Sequence, residues 1–216
     1  KIKFIIYQIN VQRLNLKDYL EVIRNMLIRI LYIVLFFLIT NTSNAQNIKK
    51  AYFAGGCFWC MEEAFEKMDG VLEVISGYSG GTTENPTYKE VIYGKTGHFE
   101  AIEIKYDIEK IDYKKLLDAF WVNIDPFDAN GQFCDKGYSY KSVIFHTSEK
   151  EKNLAEESIK VLEKRFNKKI VTYVRRFDEF YKAEEFHQDY YVENFINYLR
   201  YKKACRRVKT LEKIWN

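Results

Sequence analysis

Proline is scarce in this chain, and no segment is repeated or of low complexity. Two of the 216 residues are proline, whereas 47% are hydrophobic and 17% are aromatic. Disordered chains have the opposite composition, because they lack the apolar surface that a core requires. The composition therefore predicts a folded globular protein, and its length fits one domain whose core needs neither a structural metal nor a disulfide.

Most of the chain also lacks an excess of positive charge. The formal net charge is +4, but residues 1–45 hold six of the 34 Lys and Arg residues and two of the 30 Asp and Glu residues. Over the remainder, basic and acidic side chains are equal in number. This balance does not favour nucleic acid as a partner, and the basic residues between Arg200 and Lys213 are interpreted as a solvated helix face.

Metal-ligand spacing is absent from the three histidines and incomplete among the four cysteines. Cys57 and Cys60 form a close pair, but Cys134 and Cys205 are 71 residues apart. A structural zinc site made of four thiolates typically repeats a close pair. We therefore expect neither a metal nor another cofactor.

A hydrophobic run long enough to span a bilayer comfortably is also missing. The segment from Leu27 to Ile39 is apolar except for Arg29, whereas about 20 apolar residues are needed. Basic residues at its start and the small residues Ser43 to Ala45 after it are typical of a secretory signal. The sequence predicts a cleavable signal peptide at 26–45, export to a periplasmic or extracellular location, and no stable membrane insertion afterwards; an uncleaved anchor is the alternative.

Residues 1–25 match neither a signal nor a domain. The chain begins with Lys1, and Met26 stands just before the apolar run. We interpret residues 1–25 as an over-extended reading frame. In an exported protein the cysteines face an oxidising compartment, so a thiol that must stay reduced needs a dedicated electron donor.

From residue 46 onward, strand-like and helix-like segments alternate with short connections. The patterns predict strands at 51–54, 71–78, 98–106, 142–146 and 171–174, and helices at 58–68, 88–93, 113–124 and 149–166. Thr147 and Ser148 are the predicted cap of the last helix. We predict a single-domain α+β fold, a mixed α/β two-layer sandwich with a ferredoxin-like core, and an extended, aromatic-rich C-terminal tail that wraps over it.

Cys57 lies where a predicted strand ends and a helix begins. Unpaired N–H groups at a helix N-terminus favour a thiolate over a thiol, and we therefore expect a lowered pKa for Cys57. Gly55 and Gly56 allow a tight turn and leave the sulfur reachable. These features predict a reactive cysteine.

Several motifs around Cys57 occur in a recognisable order. They are GCFWC at 56–60, GYSGG at 77–81, NPTY at 85–88, TGHFE at 96–100, QFCDKG at 132–137 and YKS at 140–142. In this order and spacing the chain resembles the peptide methionine sulfoxide reductase A family, from about Ala51 to Trp215. The resemblance identifies residues 46–216 as a reductase domain. It implies an oxidoreductase that converts methionine S-sulfoxide, protein-bound or free, to methionine.

The resemblance also implies roles for individual residues. Cys57 attacks the sulfoxide sulfur, and Glu100 is a protonated acid whose pKa is raised by an apolar pocket. Such an acid is needed because the oxygen must accept a proton for the sulfur to become electrophilic. The remaining implied roles are oxygen binding by the hydroxyls of Tyr88 and Tyr140, an apolar wall for the methyl group at Phe58 and Trp59, and ordering of the site by Asp135. From strand alternation alone, Glu100 would be a solvent-facing residue.

The reaction leaves Cys57 as a sulfenic acid, which a second thiol converts to a disulfide. Family resemblance favours Cys205 as this resolving residue, with Cys60 and Cys134 as alternatives. The tail departs from the family pattern, because Arg206 and Asn216 stand where glycines are expected. A thioredoxin-like reductant is expected to open the disulfide, and the protein is expected to be a monomer.

A thiol-disulfide oxidoreductase that uses Cys57 and Cys60 is the alternative function, because a CxxC pair after a strand is also typical of thioredoxin-like proteins. That fold places a proline loop against its cysteines. Pro86 and Pro126 both lie within reductase-like motifs instead, which favours the reductase.

Overall fold

The computed structural model describes residues 16–40 and 47–216, and the chain divides into two units at residue 45. In the first unit, helix α1 (Leu16–Thr40) continues without a break through Met26. The small residues Ser43 to Ala45 of the predicted signal lie outside the described residues. Within residues 16–40 and 47–216, no helix combines the length and the apolar character that a membrane crossing requires.

The second unit contains eight strands, seven helices and two short 3₁₀ turns within residues 47–216. In chain order these are β1 (Ile48–Gly55), α2 (Phe58–Glu66), β2 (Val71–Ser79), α3 (Tyr88–Tyr93), β3 (Phe99–Asp107), α4 (Tyr113–Val122), β4 (Gly131–Gln132), β5 (Asp135–Lys136), a turn at Tyr138–Tyr140, β6 (Ser142–His146), α5 (Glu149–Phe166), β7 (Tyr173–Arg176), β8 (Phe180–Lys182), a turn at Glu185–His187, α6 (Tyr190–Glu193), α7 (Phe195–Ala204) and α8 (Arg207–Trp215).

Six strands form one sheet in the order β7-β6-β1-β3-β2-β8, and β4 pairs with β5 as a separate hairpin. Each of the four central strands β6-β1-β3-β2 is antiparallel to its neighbours. Along the chain, α2 lies between β1 and β2, and α4 lies between β3 and β6. This is the ferredoxin-like arrangement, so the predicted fold is confirmed. Strand β7 adds parallel to β6, and β8 adds antiparallel to β2.

The main core lies between the sheet and helices α2, α4 and α5. The Phe53 ring stacks against Phe65 at 5.7 Å and against Phe120 at 5.0 Å, and all three side chains are fully buried. On the other face of β1, Tyr52 stacks on Phe177 at a centroid distance of 3.8 Å. Burying a side chain of this size stabilises the fold by about 2–3 kcal/mol. Both faces of β1 are covered from Ala51 onward, which explains the apolar run from Ala51 to Ala54.

Most predicted elements are present, with shifts at their ends. The predicted bounds of α3, α5 and β6 are those observed, and Ser148 caps α5 by accepting a hydrogen bond from the Glu151 N–H. The predicted strand at 171–174 begins later, at Tyr173, because the Val171 N–H donates to Pro126 O at 3.0 Å and so leaves the ladder. Strand β1 begins earlier, at Ile48, which pairs with Asp107.

The C-terminal tail folds into helices α6, α7 and α8, which wrap over the core as its aromatic content predicts. Tyr198 of α7 is fully buried and packs in a cluster with Cys57 and Cys60. Trp215 of α8 donates from Nε1 to Ile124 O at 3.1 Å. The tail thereby brings its own side chains to the cysteine-bearing end of α2.

The strand register places Cys57 beside Glu100. Phe53 of β1 pairs with Ile102 of antiparallel β3, so the residues that follow β1 lie next to those that begin β3. Glu100 itself pairs with Tyr78 on β2. The TGHFE and GCFWC motifs are therefore neighbours in space although 42 residues separate Phe58 from Glu100.

Candidate active site

Cys57 is the residue that precedes the first turn of α2. Its backbone is not helical, and its carbonyl accepts hydrogen bonds from the N–H groups of Cys60 at 3.1 Å and Met61 at 3.4 Å. Gly56 before it has φ of +80°, and a Cβ atom there would lie 2.5 Å from Cβ of Gln132. Glycine is needed here for both reasons, and the resulting turn presents a buried Cys57 thiol to β3.

The Glu100 carboxylate occupies the N-terminus of α2. Its Oε2 atom accepts a hydrogen bond from the Phe58 N–H at 3.1 Å, and the side chain is 2% exposed. Burial raises the pKa of Glu100 to about 8, although the Phe58 N–H works in the opposite direction. At neutral pH Glu100 is therefore mainly a neutral acid, the form that can give a proton.

The expected lowering of the Cys57 pKa is wrong. Burial raises the pKa of this thiol well above its ordinary value, and the neighbouring Cys60 and Glu100 raise it further. The helix N–H group that was expected to stabilise the thiolate donates to Glu100 instead. The resting nucleophile is therefore a thiol.

Cys60 has the opposite electrostatic environment. A hydrogen bond with Cys57 lowers the pKa of Cys60 to about 6, burial opposes this, and the positive charges of Arg207 and Lys202 lower it further. The two sulfurs thus lie between the Glu100 carboxyl on one side and cations on the other. This field places the first negative charge of the pair on Cys60.

Tyr88 and Tyr140 face Glu100. Burial raises the pKa of Tyr88 to about 12, and the nearby Glu100 adds to the shift. Burial also raises the pKa of Tyr140, whose hydroxyl interacts with both Glu100 and Tyr88. Both phenols stay protonated at neutral pH, so both can donate a hydrogen bond to one substrate oxygen.

The side chains that follow Cys57 form an apolar wall. Phe58 is fully buried and its ring lies 6.0 Å from that of Trp59. Trp59 is partly exposed and stacks on Tyr190 of α6 at 3.8 Å. A flat aromatic surface of this kind suits a methyl group on sulfur.

Asp135 is linked to Cys57 through Tyr201, a residue of α7. The Tyr201 hydroxyl donates to Oδ2 of Asp135 and also stabilises the ionised form of the Cys57 sulfur. Burial raises the pKa of Asp135, whereas Tyr201 and Arg207 oppose the shift. Asp135 therefore reaches the Cys57 sulfur through Tyr201 and lies near enough to Glu100 to raise the pKa of that carboxyl; its ordering role stays a prediction.

The four cysteines form two pairs. Cys134 and Cys205 form a disulfide with a Cα–Cα distance of 4.9 Å, while Cys57 and Cys60 are free thiols. Cys134 is exposed at the tip of the β4–β5 hairpin, and Cys205 is buried at the C-terminus of α7. Because Cys205 is bonded to Cys134 in this state, its predicted bond to Cys57 stays a prediction.

Known proteins are similar in sequence to this chain over nearly all of residues 47–216. The family model for peptide methionine sulfoxide reductase matches residues 49–216. A peptide methionine sulfoxide reductase MsrA of Listeria monocytogenes serotype 4b is 47% identical over 172 residues, covering 79% of this chain and 97% of the relative. One from Streptococcus agalactiae serotype III is 46% identical over 171 residues, covering 78% and 100%. The chain belongs to the peptide methionine sulfoxide reductase family.

Solved structures agree with this assignment. The reductase superposes on Mxr1 from Saccharomyces cerevisiae in reduced form with a TM-score of 0.64 and 31% identity, covering 70% of this chain and 88% of that one. Methionine sulfoxide reductase A of Corynebacterium diphtheriae gives a TM-score of 0.63 at 28% identity, covering 70% and 77%. The predicted family, fold and enzyme class are confirmed.

Sequence reasoning missed two residues of the reductase site. Tyr201 contacts the site from α7, and His187 lies with its ring centroid 4.4 Å from Tyr88 and 5.0 Å from Phe58. The aromatic-rich tail signalled packing on the core, but nothing distinguished Tyr201 among 17 tyrosines. His98 of the TGHFE motif has a structural role, since its Nδ1 accepts a hydrogen bond from the Gly81 N–H at 3.1 Å.

Proposed function

We propose that the reductase converts methionine S-sulfoxide to methionine, free or in proteins, with Cys57 as nucleophile and Glu100 as general acid. The observation that carries this proposal is the buried, mainly neutral Glu100 carboxyl beside the buried Cys57 thiol. A thiol next to a proton donor is the pair that oxygen transfer from a sulfoxide requires.

In the first step, Tyr88 and Tyr140 hold the sulfoxide oxygen and Glu100 protonates it. The Cys57 sulfur attacks the substrate sulfur, and the oxygen ends on Cys57 as a sulfenic acid while methionine leaves. The proton of the Cys57 thiol passes to Glu100 and replaces the proton that Glu100 gave to the sulfoxide oxygen. Two electrons move from the cysteine sulfur to the substrate, so Cys57 is oxidised and the sulfoxide is reduced.

The raised pKa of Cys57 fits this sequence of events. A sulfoxide sulfur carries a partial positive charge, and placing it against Cys57 favours the thiolate. The nucleophile is then formed when substrate is present. A resting Cys57 thiol reacts more slowly with other oxidants, because the thiolate is the reactive form.

For recycling, we propose that Cys205 attacks the Cys57 sulfenic acid and releases water. Cys134 then attacks the Cys205 sulfur, which frees Cys57 and leaves the Cys134–Cys205 disulfide. Support comes from this disulfide and the free Cys57 thiol, which correspond to the end of that sequence. The exposed sulfur of Cys134 is accessible to a thioredoxin-like dithiol, which supplies two electrons and two protons.

Cys60 is a second candidate for the resolving thiol. Its lowered pKa, about 6, and its interaction with the Cys57 side chain favour attack on a sulfenic acid at that position. Peptide mapping after one equivalent of substrate, without reductant, distinguishes a Cys57–Cys60 bond from a Cys134–Cys205 bond.

The reaction is tested with the purified protein, dithiothreitol, and a peptide carrying either the S or the R epimer of methionine sulfoxide. We expect reduction of the S epimer and of free methionine S-sulfoxide. No reduction of any sulfoxide would contradict the proposal, as would preference for the R epimer.

We also propose that residues 26–45 direct export and are removed. The support is the basic start, the apolar run to Ile39 and the small residues that end at Ala45. Mass spectrometry of the exported protein should give an N-terminus at or near Gln46, whereas an intact residue 30 would indicate an anchor. Light scattering on the same material should give the mass of a monomer.

A further inference from the structure

Three potential metal ligands converge where the β4–β5 hairpin meets the C-terminus of α7. The sulfurs of Cys134 and Cys205 and a carboxylate oxygen of Asp135 all lie within 4.8 Å of one another. The Cys134 sulfur is 3.8 Å from Oδ1 of Asp135, so the two adjacent side chains point the same way. Two thiolates and a carboxylate form a ligand set that suits zinc.

We propose that reduction of the Cys134–Cys205 disulfide converts this cluster into a zinc-binding site. A dithiol reductant gives two electrons and two protons to the disulfide and is itself oxidised to a disulfide. Zinc then replaces the two thiol protons, which pass to solvent, and bonds to both sulfurs and to Asp135. This binding goes beyond the reductase reaction and needs no sulfoxide.

The distances fit such a site after a small movement. With Zn–S bonds of about 2.3 Å and tetrahedral angles, the two sulfurs should be about 3.8 Å apart and each about 3.5 Å from the carboxylate oxygen. The existing spread of 4.8 Å is close to these values. The two sulfurs need to separate only from the disulfide bond length, about 2 Å, to about 3.8 Å. A water molecule would be the fourth ligand.

The surroundings hold the ligands and balance their charge. The Tyr201 hydroxyl donates to Oδ2 of Asp135, which orients the carboxylate and leaves Oδ1 facing Cys134. Two thiolates, one carboxylate and Zn²⁺ carry a net charge of −1. The buried Arg207 lies against the Phe133 ring at 4.5 Å and acts electrostatically on Asp135, so its positive charge offsets that excess.

The site is defined by oxidation state, and this makes it testable without mutation. We expect the full chain, reduced and freed of reductant without air, to hold one zinc ion in competition with a chromophoric chelator. The oxidised chain should hold at least tenfold less. Cobalt added to the reduced chain should give a thiolate-to-metal absorption band. Equal binding by both redox states would overturn the proposal.

Variants locate the site. Cys134→Ser, Cys205→Ser and Asp135→Asn should each weaken zinc binding by roughly tenfold or more, and Tyr201→Phe by roughly tenfold. Asp128→Asn is the matched control for the carboxylate, because Asp128 lies in the adjoining loop and pairs with Lys136. The variant Cys57→Ser/Cys60→Ser should bind zinc as the wild type does. If zinc binding were instead lost in Cys57→Ser/Cys60→Ser, the proposed site would be wrong, whatever the outcome of the sulfoxide assay.

Discussion

The two cysteine pairs of this reductase lie near one another in different environments. Cys57 and Cys60 are buried among aromatic rings, between Glu100 on one side and Arg207 on the other. Cys134 is exposed and already bonded to Cys205. Burial lets the first pair control protonation and exclude water, whereas the exposure of Cys134 lets the second pair meet a protein reductant. The comparison suggests that oxygen transfer and electron supply are separated onto different sulfurs, with Tyr201 and Asp135 between them.

The largest effect should come from removing the sulfur of Cys57. Cys57→Ser replaces the nucleophile by a hydroxyl that no neighbour activates, and reduction should be abolished in a coupled assay of methionine formation. The protein should remain folded, since serine is of similar size. Measurable turnover by this variant would mean that the buried pair does not carry the chemistry.

Glu100→Gln should slow the reaction by roughly 10²- to 10⁴-fold, the usual range for a lost general acid. Because the acid form is required and the pKa is about 8, wild-type kcat/KM should fall as pH rises through about 8. The variant should lack this fall and recover partly at low pH. Glu103→Gln is the matched control on the same strand, since Glu103 pairs with Lys50 and should retain full activity. If kcat/KM of Glu100→Gln still fell as pH rises through about 8, that fall would be due to another group.

Cys205→Ser should spare the first turnover and impair the following ones. One methionine per chain should appear in a rapid burst, because Cys57 and Glu100 are intact. Turnover supported by a thioredoxin-like protein should then fall by roughly 10²-fold, because the intramolecular thiol is lost. Undiminished turnover together with a Cys57–Cys60 bond in the wild type would identify Cys60 as the resolving residue.

Tyr201→Phe should lower kcat/KM by roughly tenfold, the effect of losing one hydrogen bond to a charged group. The change removes the hydroxyl that joins Asp135 to the Cys57 sulfur and keeps the ring that packs edge-on against Trp59 at 6.0 Å. Tyr190→Phe keeps its stacking on Trp59 and should have little effect. If the two variants behaved alike, Tyr201 would serve only in packing.

The smallest expected effects concern stability along α2. Burial raises the pKa of Glu62 to about 8, so the folded state holds a proton that the unfolded state loses near pH 4.5. The free energy of unfolding should therefore fall between about pH 4.5 and 8, and Glu62→Gln should remove the part of that fall that Glu62 causes. Denaturant titrations at several pH values measure it.

Glu63 provides the opposite case on the next residue. Burial would raise its pKa, but hydrogen bonds from Lys202 and Lys67 lower it to about 2. Its contribution is present above pH 4.5 and is lost as pH falls toward 2. Glu63→Gln should thus destabilise the protein at neutral pH and make no difference near pH 2. The same sign of pH dependence in both variants would contradict the assignment of their environments.

Local patterns predicted most of the fold. The capped helix α5 and strand β6 depend on neighbouring residues, so their bounds could be read directly. The raised pKa of Cys57 could not, because it depends first on burial and then on neighbours that include Glu100, which lies on a strand distant in sequence. The Cys134–Cys205 bond spans 71 residues and depends on how α7 docks. For the same reason Tyr201 could not be chosen among similar tyrosines, whereas Glu100 and Asp135 were predicted from the family motifs that contain them.

Met61 of α2 has a consequence for an enzyme that repairs oxidised methionine. It is 1% exposed, Nη2 of Arg207 contacts its sulfur at 3.4 Å, and a Cβ on Gly55 would lie 2.6 Å from that sulfur. These contacts crowd the Met61 sulfur, whereas Met68, the other methionine of residues 46–216, is partly exposed. Oxidation of methionine in the folded enzyme should therefore reach Met68 before Met61, whose sulfur becomes accessible only when the packing of α2 is lost.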